Sequence, residues 1–429
     1  MFYFFAPLII YTIIQQCFHA SNPFVRLLAL AILVLYFFYK KSLDSKFIIA
    51  HNELSKKQFF KKIIISIIIL IISLRVIHFA YRLNGDTKHI EDVATLNFKA
   101  INVLFVDRKN PYSADIDPYP IPKEYKIGEK TYEKSVYYAG YKYTPLQLFL
   151  YAPFTLLFDL KGIYVANFLV YILIALICFL YLKKSSFPAD ASPSPSTSTS
   201  TSTSTSALTS SAYLGVIAFL TTDFFFTLSF NKGTNDSMPT LFLLLSLIYL
   251  NSNESKESNE KNSSSKAKSS KTKSAIAESA IMLGLSLLVK QLPASLFVLI
   301  YLVQKKYRII LFALLVFALG VLPFLIADFN SFMTQAVEFN LIRPTRETSL
   351  LSYFPPLIRK IIPFLGIVVI IILSLIGRKK SSELNLENGF ALPSLALIIF
   401  LITSKMTPTH YFVWITPIII LWFFKIKRV

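Results

Sequence analysis

The chain has 429 residues, of which 54% are hydrophobic and only 16% are charged. A soluble domain carries about 25% charged residues, so the composition excludes an ordinary soluble protein. Repeated apolar runs predict an all-α polytopic membrane protein, and the alternating segments of a β-barrel are missing. The net charge of +20 does not indicate nucleic-acid binding, because the 44 Lys and Arg residues cluster at the ends of apolar runs. This clustering indicates on which side of the membrane each loop lies and predicts contacts with anionic lipids.

About twelve transmembrane helices are predicted. In chain order they cover 2–18, 24–39, 63–81, 162–182, 212–229, 238–250, 275–289, 293–304, 309–327, 361–377, 389–403 and 410–424. The first run lacks the basic region that precedes a cleaved signal peptide, so we expect it to be retained. Residues 1–62 are therefore predicted to be a helical hairpin and a basic cytoplasmic loop within a single transmembrane domain, 1–429.

Basic residues set the orientation of these helices. The basic segments are 40–62, 183–211, 251–274, 305–308, 378–380 and the C-terminal tail. All of them fall on one side if both termini are cytoplasmic, which agrees with the positive-inside rule. We therefore expect a multi-pass protein of the cell (inner) membrane. The loops 183–211 and 251–274 are rich in Ser, Thr, Asn and Lys, and this composition predicts disordered cytoplasmic loops.

The opposite, exoplasmic side carries a large first loop, 82–161. Its last apolar segment, 145–158, has about 14 residues and two prolines, Pro145 and Pro153. Apolar runs of this length are more often interfacial or re-entrant than spanning. Counting it as a span would also move most lysine clusters to the outside. We therefore expect the first exoplasmic loop to carry interfacial helices.

Asp86 is the leading candidate for a catalytic group. It follows the apolar run 63–81 directly, in the sequence Arg82-Leu83-Asn84-Gly85-Asp86. A carboxylate at the edge of the membrane can meet both a lipid head group and a polar acceptor, and ionisable groups placed there are functional candidates. The alternative is an ordinary solvated loop aspartate. No Asp-x-Asp pair lies beside Asp86, so no metal is predicted.

Further polar residues map to the same exoplasmic side. Those predicted to bind substrate are His89, Tyr141, Lys142, Tyr143, Asn231, Lys232, Asp236, Lys290, Gln291, Arg343 and Arg346. Plainer alternatives exist for several of them. The tyrosines would suit an aromatic belt at the interface, Lys290 could snorkel, and His89 could be a solvated loop histidine.

A carboxylate and several cations on one membrane face suit glycosyl transfer from a lipid-phosphate sugar. The carboxylate would take the proton from an acceptor hydroxyl as that hydroxyl attacks the anomeric carbon. The cations would stabilise the departing lipid phosphate. A single base without a nucleophilic carboxylate predicts one displacement, with inversion.

Three motifs carry a resemblance to a known family. They are Gly85-Asp86 followed by Asn110-Pro111-Tyr112, the stretch Tyr141 to Leu146, and Lys290-Gln291-Leu292-Pro293. The pattern resembles the GT-C membrane glycosyltransferases, and is most similar to glycosyltransferase family 87, the polyprenyl-phosphate-mannose-dependent mannosyltransferases. Thr409-His410-Tyr411 is similar to a turn before the last helix of that family. The chain departs from the family in reading Tyr143-Thr144-Pro145 instead of Tyr-Pro-Pro.

The resemblance implies a function for the matching residues. Asp86 would be the catalytic base, and Lys290 and His410 would face the donor phosphate or the acceptor, with His410 counted as catalytic beside Asp86. The donor would be a polyprenyl-phosphate sugar, with mannose as the hexose, and the acceptor a glycolipid or glycan hydroxyl.

Two other functions were weighed against hexosyl transfer. They are a transporter or flippase of lipid-linked sugars, and a polysaccharide polymerase or ligase. Transporters show repeated halves with broken helices near the midplane, whereas here the polar groups lie at one face. Apart from the lipid-phosphate sugar, which is a substrate, no cofactor is expected. The expected partners are the donor, the acceptor and membrane lipids. We expect a monomer, because no Gly-x-x-x-Gly motif is seen.

Overall fold

Apolar helices dominate the computed structural model. It describes residues 65–66, 68–80, 92–127, 130–185, 213–222, 226, 233–259, 265–342, 351, 354–379, 389–404 and 411–424. The helices of the membrane-embedded part are α1 (Ile68–Ala80), α4 (Gly162–Ser185), α5 (213–221), α6 (Ser237–Asn259), α7 (Ser265–Val289), α8 (Gln291–Val303), α9 (Tyr307–Ala327), α12 (Pro356–Lys379), α13 (Ala391–Thr403) and α14 (Phe412–Phe424). The outer segments add α2 (Asp92–Ile101), α3 (Leu146–Phe158), α10 (Phe329–Phe332) and α11 (Phe339–Ile342).

The helices coincide with the predicted spans, which confirms the α-helical membrane fold. Within the described residues, three segments are long and apolar enough to cross a bilayer: Leu146–Lys184, Tyr307–Ala327 and Pro356–Arg378. Many leucine and isoleucine side chains of α9 and α12 are exposed, as expected for helices that face lipid. The predicted spans 2–18 and 24–39 lie outside the described residues, so the total of twelve stays a prediction.

The segment 251–274, which we predicted to be cytoplasmic, differs from the sequence-based expectation. We expected a disordered loop, but α6 continues to Asn259 and α7 begins at Ser265. No glycine or proline interrupts residues 251–274, and Lys and Glu are good helix formers. The helices therefore extend beyond their apolar parts. In the other loop predicted to be disordered, 183–211, α4 runs to Ser185 and the remaining residues lie outside the described ranges.

The described part of segment 82–161, which we predicted to be the first exoplasmic loop, contains a β-hairpin as well as helices. Helix α2 continues into a π-helical segment, Asn102–Val106. Strands β1 (Tyr119–Ile127) and β2 (Lys130–Tyr138) then pair antiparallel, with Tyr119 opposite Tyr138 and Ile127 opposite Lys130. The end of the hairpin is held to the segment after α9, because the Tyr138 hydroxyl donates to Glu338 Oε1 over 3.0 Å.

Helix α3 is the segment that we predicted to be interfacial. Its 13 residues are about 20 Å long, which is short for a membrane core of about 30 Å. The 24 residues of α4 suffice to cross by themselves. A 3₁₀ turn, Asp159–Lys161, joins the two helices, and a Cβ atom on Gly162 would clash with the carbonyl oxygen of Phe154. This close turn lets α3 fold back against α4, and the interfacial position of α3 stays a prediction.

The central helices α6 and α7 pack against each other, and α7 also packs along α9. Small residues allow the approach of α7 and α9. A Cβ atom on Gly284 would lie 2.7 Å from the carbonyl oxygen of Ala313, so the two backbones are nearly in contact there. Such close packing at small residues is typical of helix pairs in membranes.

Candidate functional site

A buried ion pair joins the starts of two central helices. Lys290 Nζ lies 2.6 Å from Asp236 Oδ1, and the side chains are 8% and 0% exposed. Lys290 also donates to Asn235 Oδ1 over 3.3 Å. A buried charge is costly unless it is paired and hydrogen-bonded, and both conditions are met here. The structure thus gives Lys290 an internal partner instead of leaving it to snorkel.

The local sequence explains why Asp236 and Lys290 both lie at points where the helical backbone is interrupted. Lys290 interrupts the α7–α8 helix with an extended backbone, φ −155° and ψ 115°. Asp236 directly precedes α6, where a carboxylate is favoured by the helix dipole. In both cases a proline follows three residues later, Pro239 and Pro293. Proline is tolerated in a first helical turn, since the N–H groups there have no partner within the helix. The turn before Asp236 also requires Gly233, whose φ is +68°.

Aromatic rings surround the ion pair. Trp414 of α14 donates its indole N–H to Asp236 Oδ1 over 2.7 Å. Tyr411 stacks on Trp414 with ring centroids 4.0 Å apart. Lys290 Nζ lies 4.7 Å from the centroid of Tyr411, 5.3 Å from that of Trp414 and 5.9 Å from that of Tyr143. Cations are attracted to the faces of such rings, so the rings contribute to holding the ammonium group in place.

Hydrogen bonds connect the ion pair to the first exoplasmic loop. Asn235 donates to Gln147 Oε1 over 2.7 Å. The Tyr141 hydroxyl lies 3.3 Å from the same Oε1 and 2.7 Å from Asn97 Oδ1, on α2. Gln147 also donates to the carbonyl oxygen of Val289, beside the helix break. Asn97, Tyr141 and Gln147 are all completely buried. We call the seven residues Asn97, Tyr141, Gln147, Asn235, Asp236, Lys290 and Trp414 the polar network.

A second buried group secures the turn before Asp236. Asn167 of α4 accepts from the Tyr151 hydroxyl over 2.7 Å and from the Ser237 hydroxyl over 2.8 Å. Its amide donates to the carbonyl oxygen of Thr234 over 3.1 Å. The turn is therefore tied to α3 and α4, and Asp236 has little freedom to move.

Two of the motifs that carry the family resemblance pack against each other. Tyr112 N–H is capped by Asn110 Oδ1 over 3.1 Å, and the Tyr112 hydroxyl donates to the Tyr143 carbonyl over 2.7 Å. The Tyr141 N–H donates to the Pro111 carbonyl over 2.9 Å. Burial raises the pKa of both Tyr112 and Tyr141 well above the usual value for a tyrosine. Both phenols therefore remain neutral hydrogen-bond donors at physiological pH.

The structure brings together some of the residues that we predicted to bind substrate. Tyr143, Asp236 and Lys290 lie together, and Tyr141 joins them through hydrogen bonds. Gln291 is the half-buried first residue of α8. Lys142 points elsewhere, to Asp117, whose carbonyl oxygen is 2.7 Å from its ammonium group. Asp86, His89, Asn231, Lys232, Arg343, Arg346 and His410 lie outside the described residues.

Sequence reasoning missed Asn97, Gln147, Asn235 and Trp414 as site residues. Gln147 did carry a signal, since it is a polar residue between Leu146 and Leu148 at the start of an apolar run. Trp414 is one of only two tryptophans in the chain. Nothing in the sequence distinguishes Asn97 from other polar residues of the outer loop.

The arrangement does not test the prediction that no metal is bound. Within the described ranges, no three His, Cys, Asp or Glu residues are grouped so as to hold a metal ion. Chemically, the Asp236–Lys290 pair is internally neutralised, so it is suited to holding neighbouring groups in a fixed orientation.

One family model and two solved structures are similar to the chain. Residues 141–404 match the family model described as Glycosyltransferase family 87. Two crystal structures of ArnT from Cupriavidus metallidurans, one bound to undecaprenyl phosphate and one in the apo state, align with a TM-score of 0.49 at 14% and 15% identity. Each alignment covers 82% of this chain but 58% of the ArnT chain, so it spans less than two thirds of ArnT. No curated protein matches the chain in sequence.

Proposed function

The chain belongs to glycosyltransferase family 87, and on that basis we propose that it transfers a hexose from a polyprenyl-phosphate sugar to a hydroxyl of a glycolipid or glycan. Mannose is the proposed hexose. The observation that carries the proposal is the family match over residues 141–404, which includes both the Tyr141–Leu146 motif and the helix break at Lys290. We further propose a monomer in the cell (inner) membrane, with both termini cytoplasmic.

Asp86 is the proposed catalytic base. It takes the proton of the acceptor hydroxyl while that oxygen forms a bond to the anomeric carbon. The bond from the anomeric carbon to the phosphate oxygen breaks, and its electron pair leaves with the lipid phosphate. A single displacement of this kind inverts the anomeric configuration.

The remaining predicted residues have supporting roles in this proposal. His410 acts beside Asp86 at the donor or acceptor. Lys232, Arg343 and Arg346 are the cations proposed to bind the departing phosphate, because positive charge stabilises the negative charge that develops there. His89, Tyr143, Asn231 and Gln291 are proposed to contact the sugar or the acceptor.

The fold supports a common location for Asp86 and His410. Helix α2 begins six residues after Asp86, and α14 begins two residues after His410. Both helices contribute to the polar network, α2 through Asn97 and α14 through Trp414. The two segments that carry the proposed catalytic residues therefore lead into helices that are held together.

Replacing Asp86 tests the proposal. Transfer from labelled polyprenyl-phosphate-mannose is measured in membranes that contain the wild type, Asp86→Asn or Asp92→Asn. We expect Asp86→Asn to lower kcat by about 10² to 10⁴, the usual contribution of a general base. Asp92 is the matched control, because its exposed carboxylate accepts from the Val93 N–H at the start of α2.

Two results would overturn the proposal. Full turnover by correctly inserted Asp86→Asn would remove Asp86 as the base. No transfer by the wild type from any lipid-phosphate sugar would favour a transporter of lipid-linked sugars instead.

A further inference from the structure

Buried hydrogen bonds run without interruption from the first exoplasmic loop to the last helix. We infer that Tyr141, Gln147, Asp236 and Lys290 are positioning residues, which fix α2 and α14, the helices that follow Asp86 and His410 in the chain, relative to each other. This inference rests on the proposed function, and it assigns these four residues a role other than direct contact with substrate.

Burial favours positioning over substrate contact. Tyr141, Gln147 and Asp236 are 0% exposed, and Lys290 is 7% exposed. The polar atoms that form hydrogen bonds are directed at other protein groups: a carboxylate, amides, an indole N–H and a backbone carbonyl. A substrate would have to displace these bonds in order to reach them, and a displaced buried partner loses its hydrogen bond at a high cost.

Tyr141 connects Asn97 of α2 to the rest of the polar network through one hydroxyl group. Its single hydroxyl contacts Asn97 Oδ1 on α2 at 2.7 Å and Gln147 Oε1 on α3 at 3.3 Å. The ring packs edge-on against Tyr112 and Tyr143, with centroids 5.7 and 5.8 Å away. Removing the hydroxyl alone would therefore remove the hydrogen bond to Asn97 of α2 and leave the packing of the ring intact.

The Asp236–Lys290 pair secures the other end of the network. Asp236 Oδ1 accepts from both Lys290 and Trp414, so one oxygen atom joins the helix break to α14. Asn235 connects this pair to Gln147. Through these contacts the start of α14, two residues after His410, is fixed to the helix break and to the start of α6.

A loss of positioning has a specific kinetic signature. A displacement of about 1 Å, caused far from the chemistry, can cost a factor of about 10² in rate, because the reacting groups no longer align. Donor binding depends on other residues in the proposed function, so the KM for the donor should change little. A positioning defect should therefore appear in kcat.

The first experiment compares Tyr141→Phe with Tyr171→Phe. Tyr171 is equally buried, but its hydroxyl donates to the carbonyl of Leu220, a residue outside the polar network, over 2.9 Å. We expect Tyr141→Phe to lower kcat at least tenfold, with the donor KM within about twofold of the wild type and normal insertion. Tyr171→Phe should keep the wild-type kcat. Equal kcat values for both variants would overturn the inference.

A double-mutant cycle with Asn97→Ala tests the connection itself. If Tyr141 acts through Asn97, the double variant should lose no more kcat than the stronger single variant, because both changes break one bond. If the losses multiply, the two residues act independently and the inference fails.

A readout that does not require activity separates this inference from the proposed function. In a Trp422→Phe background Trp414 is the sole tryptophan, since the chain has two. Tyr141→Phe should shift the emission of Trp414 or its quenching by acrylamide, while Tyr171→Phe should not. An unchanged signal in Tyr141→Phe contradicts the inference whatever the enzyme transfers. If Asp86→Asn lost activity while Tyr141→Phe behaved like the wild type, the proposed function would stand and the positioning inference would fail.

Discussion

Asp236 and Lys290 should show a large coupling energy in a double-mutant cycle that measures protein stability. The relevant variants are Lys290→Met, Asp236→Leu and the double variant, each of which replaces a charged side chain by an apolar one of similar size. Lys290→Met leaves a carboxylate that is 0% exposed without its cation, and Asp236→Leu leaves an ammonium group that is 8% exposed without its anion. Removing one partner of a buried pair costs about 3–5 kcal/mol.

The magnitude of the coupling follows from these costs. The two single changes sum to roughly 8 kcal/mol. The double variant leaves no buried charge, but it deprives Asn235 Oδ1 and the Trp414 indole N–H of partners. Each orphaned neutral group costs about 1–3 kcal/mol, so the double variant should lose roughly 4 kcal/mol. We therefore expect a coupling energy of at least about 3 kcal/mol between the two residues.

Unfolding free energies from denaturant titration in detergent micelles measure this coupling. The matched control is the pair Lys142–Asp117, with an N–O distance of 3.5 Å and side chains that are 5% and 46% exposed. Solvent screens the Asp117 carboxylate and the ammonium group also donates to the Asp117 backbone carbonyl, so the same cycle with Lys142→Met and Asp117→Leu should give a smaller coupling, of about 1 kcal/mol or less. If both cycles gave similar values below about 1 kcal/mol, the assumption of a water-excluded ion pair would be wrong.

Two other predictions concern helix packing and helix capping. Gly284→Ala should destabilise the protein by about 1–3 kcal/mol, because its Cβ meets a backbone carbonyl at 2.7 Å. Gly320→Ala on the same interface meets only a movable leucine side chain and should be nearly neutral; similar thermal stabilities of the two variants would contradict this. Hydrogen bonds from Ser331 lower the pKa of Asp328 below its usual value. That carboxylate therefore stabilises the fold at neutral pH, and the contribution is lost as the pH falls through its lowered pKa. Asp328→Asn should thus lower the stability of the protein at pH 7 and leave it unchanged in acid. A loss of thermal stability that is the same at all pH values would refute the capping role of the Asp328 carboxylate.

The apolar helices could be predicted from the sequence because hydropathy is a local property. Runs predicted at 309–327 and 275–289 correspond to helices Tyr307–Ala327 and Ser265–Val289. The second begins earlier than predicted, since hydropathy marks the apolar part of a helix and not its polar extension. The hairpin at 119–138 was missed because prolines at 120 and 122 disguise the first strand.

The candidate site could be predicted only in part, because its residues are far apart in the chain. Asp236 and Lys290 were both singled out as polar residues at helix breaks, but they are 54 positions apart. Their pairing depends on how α6 and α7 pack, which no local pattern encodes. Trp414 is 178 positions from Asp236 and lies inside an apolar helix, where its indole would be taken for a packing residue.

The location of the polar network follows from the physics of the membrane. Inside a helix the backbone groups satisfy each other, so only helix ends and breaks supply non-helical backbone that can turn polar groups inward. Asp236 and Lys290 each stand at such a point, with an apolar helix beginning at the next residue. Asp86 and His410 also stand shortly before helices, α2 and α14. Charged groups at helix ends avoid the lipid by meeting one another, polar neighbours or water. This constraint explains why the buried Asp236–Lys290 pair lies where two apolar helices begin.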